Sequence, residues 1–349
     1  MTNSGIHRTL EKWQGGEMSI PVTILDVAER AGVSPATVSH TLNGKRPVGK
    51  ETREKVLRAI EELGYVPSWN ASRMKGGKSG IIGCLAADIT ETFVNQIVRG
   101  IEHGLTGGEF SLFFVSGIEF GNDLKKAYDF LKSHKVEGIL FCHHLPIWKE
   151  FNLDIQNSTI PIVSVNMDTP NMISVIPDNY TGGYQAAEHL YGCGMRNPAM
   201  ICGPQDRLSV QDRLKGFSQR VKELKLTLPD DKYFGTYDYN HGFSATERLM
   251  KEHPLTDGIF CANDYIAAGA IACLQKAGYH VPQQVRVVGF DNRDFSEFWN
   301  VPITTFELPL QEMGMLGVSI LKQIINTGVY HTEKRILQSR ILPRESSKG

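Results

Sequence analysis

The sequence predicts a small all-α head joined to a two-lobed α/β body, and three observations carry that reading. Residues 23–64 hold a run of helix start and stop signals. From Ile81 onward, short apolar runs alternate with amphipathic helical patterns. Charge is also divided unevenly along the chain. Residues 18–80 hold ten Lys or Arg against six acids, a net +4, while the whole chain is −1. A basic head on an acidic body suits a head that meets a polyanion.

The head reads as three short helices. Thr23 to Asp26 has the [ST]xx[DE] form of a capping box. Ile24, Val27, Ala28 and Ala31 then recur at helical spacing. Gly32 suits a tight turn, Ser34 is a good N-cap, and Pro35 fits the first helical position. Val38 and Leu42 continue the apolar face until Asn43 and Gly44 stop the helix. The third helix runs from about Lys50 to Leu63, with Val56, Leu57, Ile60 and Leu63 on one side. Two short helices about a glycine turn, followed by a packing helix, make a helix-turn-helix. Its second helix is expected in the DNA major groove, with Ser34, Thr37, Ser39 and His40 as its polar residues.

The body begins with strands Ile81–Ala86, Leu112–Val115, Gly138–Cys142 and Ile162–Val165, and helices near Phe93–Leu105 and Leu124–Ser133. A second series follows: helix Gly182–Tyr191, strand Ala199–Ile201 and helix Leu208–Leu224. It continues with helix Phe243–Glu252, strand Gly258–Cys261, helix Ile266–Ala277 and strand Val285–Gly289. Repeated βα units imply parallel sheets covered by helices on both faces. Ligands bind such sheets at the carboxyl ends of the strands, so a cleft between two lobes is the expected site.

Composition excludes other classes. Hydrophobic residues make up 41% and charged residues 21% of 349, which rules out wholesale disorder. No stretch approaches the ~18 uninterrupted apolar residues of a membrane span, and residues 1–20 lack the apolar core of a signal peptide. The six cysteines form no CxxC pair, so buried reduced thiols in a cytoplasmic protein are expected. No GxSxG or HExxH occurs, and no catalytic set, cofactor or metal site is expected. His143 and His144 are a poor metal pair, because strand neighbours point to opposite faces.

Leu25 to Gly44 (LDVAERAGVSPATVSHTLNG) closely resembles the DNA-binding head of the lactose/galactose repressor family. Thr52–Val56 and Leu63–Pro67 continue the match in register. The resemblance implies that Pro35, Ala36 and His40 occupy the positions that read bases. Many members have Arg where His40 stands, and the purine-repressor branch has His. Thr23, Asn43, Lys45, Arg46 and Tyr65 complete the expected DNA contacts of the head, with Lys45 and Arg46 on phosphates. Residues 67–79 match the family's hinge helix, which orders on operator DNA and wedges apart a central base step. Ala71 takes the place of its small packing residue and Met74 that of its apolar wedge. Gly76 to Ser79 is not a phosphate loop, because the first glycine would fall at Ser72 and no strand precedes it. Family heads begin near Thr23, and Met18 stands there. Residues 1–17 are therefore expected to be a disordered extension, and 18–66 the DNA-binding domain.

The resemblance extends over the body through Asp178–Gly183 (DNYTGG), Val210–Phe217 (VQDRLKGF), Phe260–Asp264 (FCAND) and Val287–Asp291 (VVGFD). It implies the two-lobed fold of periplasmic sugar-binding proteins. One lobe would comprise 80–178 and 310–337, the other 179–309 and 338–349. Arg213 and Asp291 carry over from the family's polar ligand contacts. Asn263 stands at another strand end. Tyr237 falls where relatives place a stacking aromatic, and Phe93 matches the first Phe of an "NPFF" segment. Asn166 and Met167 replace a frequent Asp-Arg pair, and His144 follows a strand facing the cleft. Arg and Asp suit paired hydroxyls and Tyr237 suits the face of a pyranose, so the residues favour a carbohydrate effector.

The expectation is therefore a non-catalytic transcription regulator, a repressor binding palindromic operator DNA as a homodimer under allosteric control by a small molecule. A purine- or nucleoside-responsive regulator is the alternative, and a sugar-binding receptor protein is a rival from another class. The sign of the response, induction or co-repression, stays open. Tetrameric relatives carry leucine heptads after the body, and 341–349 has none, so a dimer is expected.

Overall fold

The computed structural model describes residues 22–44, 46–66, 78–86, 88, 92–121, 123–142, 158–168, 172–330 and 333–348. The expected extension 1–17, the hinge residues Ala71 and Met74, and Lys45 and His144 lie outside them. So does the side chain of Asn43. The chain divides into two compact units, Met1–Ser79 and Gly80–Gly349.

The first unit contains α1 (Ile24–Ala31), α2 (Pro35–Asn43) and α3 (Lys50–Leu63). The capping box forms: Thr23 and Asp26 exchange side-chain and backbone hydrogen bonds, and these hold the Asp26 carboxyl below its usual range. Ser34 Oγ accepts from the Thr37 amide at 3.1 Å, and Gly32, Gly44 and Gly64 close the three helices in the left-handed conformation. Each helix contributes one fully buried valine, Val27, Val38 and Val56, with Ala28 and Ala59 completing the centre.

The second unit is built on three sheets. The largest is a six-stranded parallel sheet in the order β2-β1-β3-β4-β5-β10. Its strands are β1 (Ile81–Ala86), β2 (Ser111–Ser116), β3 (Gly138–Cys142), β4 (Ile162–Val165), β5 (Ile173–Pro177) and β10 (Lys334–Leu337). A second parallel sheet contains β6 (Pro198–Ile201), β7 (Gly258–Cys261) and β8 (Arg286–Val288). In the third sheet β9 (Thr305–Glu307) pairs antiparallel with β11 (Arg340–Leu342). The chain leaves the six-stranded sheet after β5, returns to it at β10 and leaves it again before β11.

Both faces of the large sheets are covered, as parallel sheets require. On β1 and β3, Cys84, Ala86, Leu140 and Cys142 face α4 (Thr92–Leu105) and α10 (Leu310–Thr327). The alternate residues Leu85, Ile139 and Phe141 face α5 (Leu124–Ser133). The second sheet lies between the pair α6 (Asn179–Gly192) and α7 (Leu208–Glu223) and the pair α8 (Tyr239–Glu252) and α9 (Asp264–Lys276).

The structure differs from the sequence reading in identifiable places. Helix α8 starts four residues before the predicted Phe243, because the Asp238 side chain caps it by accepting from the His241 amide at 2.8 Å. Periodicity names no element for β5, β9, β10, β11 or α10. The four strands have three to five residues each, too few to display a period. Helix α10 carries Gly314 and Gly317, which lower its helix propensity. A Cβ on Gly314 would collide with the Ile97 carbonyl of α4, so glycine is needed there for close packing.

Candidate functional site

The head presents one edge of α2. Val38 and Thr41 are buried, whereas Ser34, Pro35 and Ala36 are exposed and Thr37, Ser39 and His40 half-exposed. Helical spacing places Ala36, Ser39 and His40 on the outward side. The cap fixes the start of the helix that carries them; a Ser N-cap contributes about 1 kcal/mol. Arg46 is exposed just beyond the helix, and Tyr65 packs on the head core while its amide donates to the Ile60 carbonyl. Thr23 Oγ1 donates to Asp26 Oδ2 at 2.7 Å, so its hydroxyl already serves the cap.

In the body, Arg213, Asn263 and Asp291 gather at the carboxyl ends of β7 and β8, whereas Asn166 stands at the end of β4 in the other sheet. Arg213, on α7, is 5% exposed. Its Nε donates to Asn179 Oδ1 at 2.9 Å, one terminal nitrogen donates to the Ala262 carbonyl at 2.5 Å, and the guanidinium lies 3.6 Å over the Phe290 ring. The other terminal nitrogen reaches Asp291 Oδ1 at only 3.4 Å, long for a charge-assisted hydrogen bond. Arg213 is thus locked in place, while its contact with Asp291 is loose and leaves a carboxylate able to accept from a ligand.

Asp291 takes a left-handed backbone, φ 96, followed by Asn292 at φ 47. Non-glycine residues there cost about 1–3 kcal/mol each and persist only when their surroundings hold them. The Asp291 amide donates to the Phe306 carbonyl at 3.1 Å. Arg293 approaches Asp291 at 3.9 Å and lies over the rings of Phe93 and Tyr265, at 5.4 and 5.2 Å. Phe93 belongs to α4 on the first sheet, so Arg293 contacts both that helix and Asp291.

Tyr237 lies against Gly203, where a Cβ would overlap its ring. Burial raises its phenol above the ordinary value, and a hydrogen bond with Ser209 and the charge of Arg213 oppose that shift. Asn263, 2% exposed, caps α9: its Oδ1 accepts from the Ile266 amide at 2.9 Å. Asn166 follows β4 in the left-handed conformation, φ 64, its amide donating to the Val175 carbonyl at 2.8 Å.

Sequence reasoning did not name Asn179, Phe290 or Arg293 as part of this arrangement. Asn179 lies in the DNYTGG run and Arg293 two residues beyond Asp291, but only the fold reveals that they hold Arg213 and Asp291. Among the described residues no three His, Cys, Asp or Glu stand close enough to hold a metal ion, and no helix is long and apolar enough to cross a membrane.

Residues 23–68 match the family described as "Bacterial regulatory proteins, lacI family", and residues 79–345 match "Periplasmic binding proteins and sugar binding domain of LacI family". The transcriptional repressor PurR of Haemophilus influenzae is 31% identical over 335 residues, covering 94% of this chain and 99% of that protein. The ribose operon repressor of Halalkalibacterium halodurans is 30% identical, covering 94% of this chain and 97% of its own. Among solved structures, the lac repressor dimer bound to operator and the anti-inducer ONPF superposes with a TM-score of 0.83 at 27% identity. That match covers 95% of this chain and 100% of the repressor chain. The chain therefore belongs to the LacI family of bacterial transcription regulators: it is a DNA-binding, allosterically regulated protein and not an enzyme.

Proposed function

We propose that the protein is a repressor that binds a palindromic operator as a homodimer, and that a purine base or nucleoside held at Arg213 and Asp291 controls that binding. The observation that carries the site is the locked guanidinium of Arg213 facing the loosely paired carboxylate of Asp291, with Tyr237 and Phe93 beside them. A planar base meets such a site through stacking and through N–H groups that donate to Asp291. Hydroxyl-binding chemistry alone favours a carbohydrate. The similarity to repressors named PurR weighs the other way. It spans the body as well as the head, and we read that name as the purine branch in which histidine takes the place of His40. A carbohydrate is the second reading, favoured by the equally extensive similarity to a ribose operon repressor.

In this reading 80–178 and 310–337 form one lobe, and 179–309 and 338–349 the other. The pairing of β10 with β5 and of β11 with β9 supports those limits. The effector changes the angle between lobes, and so the spacing of two heads on a two-fold operator. Support for the dimer comes from an aromatic face of Tyr239, Tyr265, Phe295 and Trp299, beside which Phe298 is 83% exposed. Tyr239 and Phe298, exposed at the edge of this otherwise half-buried cluster, suit an association surface.

Thermal unfolding of the full chain with guanine, hypoxanthine, ribose and common hexoses tests the effector class. A ligand at 100 times its dissociation constant adds about 2.7 kcal/mol of stability. The expected result is a raised melting temperature with a purine and none with the sugars. A rise with ribose or a hexose alone would replace this reading by the second.

A further inference from the structure

Asp264 is the first residue of α9 and is completely buried. Its Oδ2 accepts from the Arg293 amide at 2.8 Å and from Ser296 Oγ at 2.6 Å, and its Oδ1 accepts from Thr305 Oγ1 at 2.6 Å. Its own amide donates to the Phe290 carbonyl at 2.9 Å. Thr305 Oγ1 in turn accepts from the Asn292 amide at 3.1 Å. The loop from Phe290 to Ser296, which carries Asp291, is therefore tied to the Asp264 carboxyl at two places, to the Asp264 amide at a third, and through Thr305 at a fourth. Thr305 is the first residue of β9, after which the chain returns through α10 to β10 of the six-stranded sheet. A Cβ on Gly289 would overlap the same carboxyl, so glycine precedes the loop where Asp264 approaches it.

We propose that Asp264 is the positioning residue of the effector site, its buried carboxyl fixing the Asp291-bearing loop to strand β9 and so tying the Arg213–Asp291 geometry to the crossover between lobes. This rests on the reading of that pair as the effector site. The bonds of Asp264 to Phe290 and Arg293 flank the two successive left-handed residues, Asp291 and Asn292, on both sides.

The carboxyl also responds to pH. Burial raises it to about 7; the Ser296 and Thr305 hydroxyls and the Arg293 amide oppose the rise, and the charge of Asp291 adds to it. The other groups around it are Arg293 on the loop, the Cys261 thiol at the end of β7, and Arg213 beyond Asp291. Arg344 acts through Asn292, donating to its Oδ1 at 2.8 Å. Ionised, Asp264 accepts from all three donors. Protonated, it must donate, and either Ser296 or Thr305 has to turn its hydroxyl to accept. The raised value fixes the sign for stability: the contribution is full below the unfolded value near 3.8 and is lost as pH rises through about 7. Loop anchoring runs the opposite way and strengthens as pH rises through the same range.

Those opposite trends allow a test on the full chain. The probes are hypoxanthine and ribose, with NMR of 13C-carboxyl aspartate and 15N-arginine. In the wild-type protein, the Asp264 carboxyl should titrate near neutrality, and the Asp291 carboxyl and Arg293 amide should shift with the same midpoint. In Asp264→Asn both shifts should vanish. In Thr305→Val the midpoint should rise, because one donor to the carboxylate is gone. Asp264→Asn should keep or raise the melting temperature at pH 8 while weakening whichever probe binds by at least tenfold; a purely structural aspartate would lose stability and affinity together. If neither probe binds the wild-type chain, the effector class is wrong and the linked titration alone decides this proposal. Asp291 and Arg293 signals that ignore pH between 5 and 9, or that titrate unchanged in Asp264→Asn, would overturn it.

Discussion

At the scale of single residues, the account turns on which side chains touch a ligand and which hold those that do. The proposed effector contacts Arg213 and Asp291 stand in motifs, VQDRLKGF and VVGFD, by which the sequence resembles the family. The roles of Asn179, Arg293 and Asp264 were not legible there, since each acts through another side chain, and a partner 29 to 34 residues away leaves no local pattern. Asn179→Ala should remove the Nε anchor of Arg213, and a buried donor left unpaired costs about 1–3 kcal/mol. The expected outcome, read by calorimetry, is effector affinity reduced about tenfold or more with DNA binding intact; unchanged affinity would mean that Phe290 and Ala262 suffice. In the head, His40 stands half-exposed on the outward edge of α2. His40→Ala should relax base choice at one position per half-site by about 1–3 kcal/mol. Arg46→Ala should instead weaken all sequences alike and flatten the dependence on salt. Gel-shift titrations on cognate and random duplexes separate the two behaviours.

At the scale of elements, the three main helix pairs of the body are assembled by one device. Gly100 of α4 faces α10, Gly183 and Gly216 face each other's helices in the pair α6–α7, and Gly242 and Gly269 do so in the pair α8–α9; at each, a Cβ would overlap a backbone carbonyl across the crossing. Glycine inside a helix costs up to about 1 kcal/mol of propensity. Here it allows a backbone approach that no other residue permits. This is why helical periodicity placed α6 and α7 well, while the glycines looked merely unfavourable and α10 went unnamed. At Gly183 the collision is with the carbonyl of Arg213 itself. Gly183→Ala should force α6 and α7 apart, destabilising the chain by about 1–3 kcal/mol as overpacking does, and should weaken effector binding as well. Thermal melts and calorimetry on the same sample check both effects; a variant as stable as the parent would show that the crossing can relax.

At the scale of the whole molecule, the βα order, the lobes' double coverage and the basic head were all written in the sequence. The short strands β5, β9, β10 and β11 were not, because their places are set by contacts across the chain and not by local pattern. Dimerisation belongs to this scale. Phe298→Asp places a charge on the exposed aromatic face and should shift light scattering from two chains toward one, with a loss of operator affinity because one head then binds alone. The central claim is that a small molecule at Arg213 and Asp291 governs operator binding. The most direct test is fluorescence anisotropy on a palindromic duplex selected from random DNA by the protein itself, with and without guanine or hypoxanthine. Allosteric coupling is typically 1–3 kcal/mol, about 5- to 150-fold in affinity. The account predicts a shift of that size in the wild-type chain, and in Arg213→Ala an unchanged ligand-free affinity with no shift. An Arg213→Ala variant that responds to the ligand as the wild type does would contradict it.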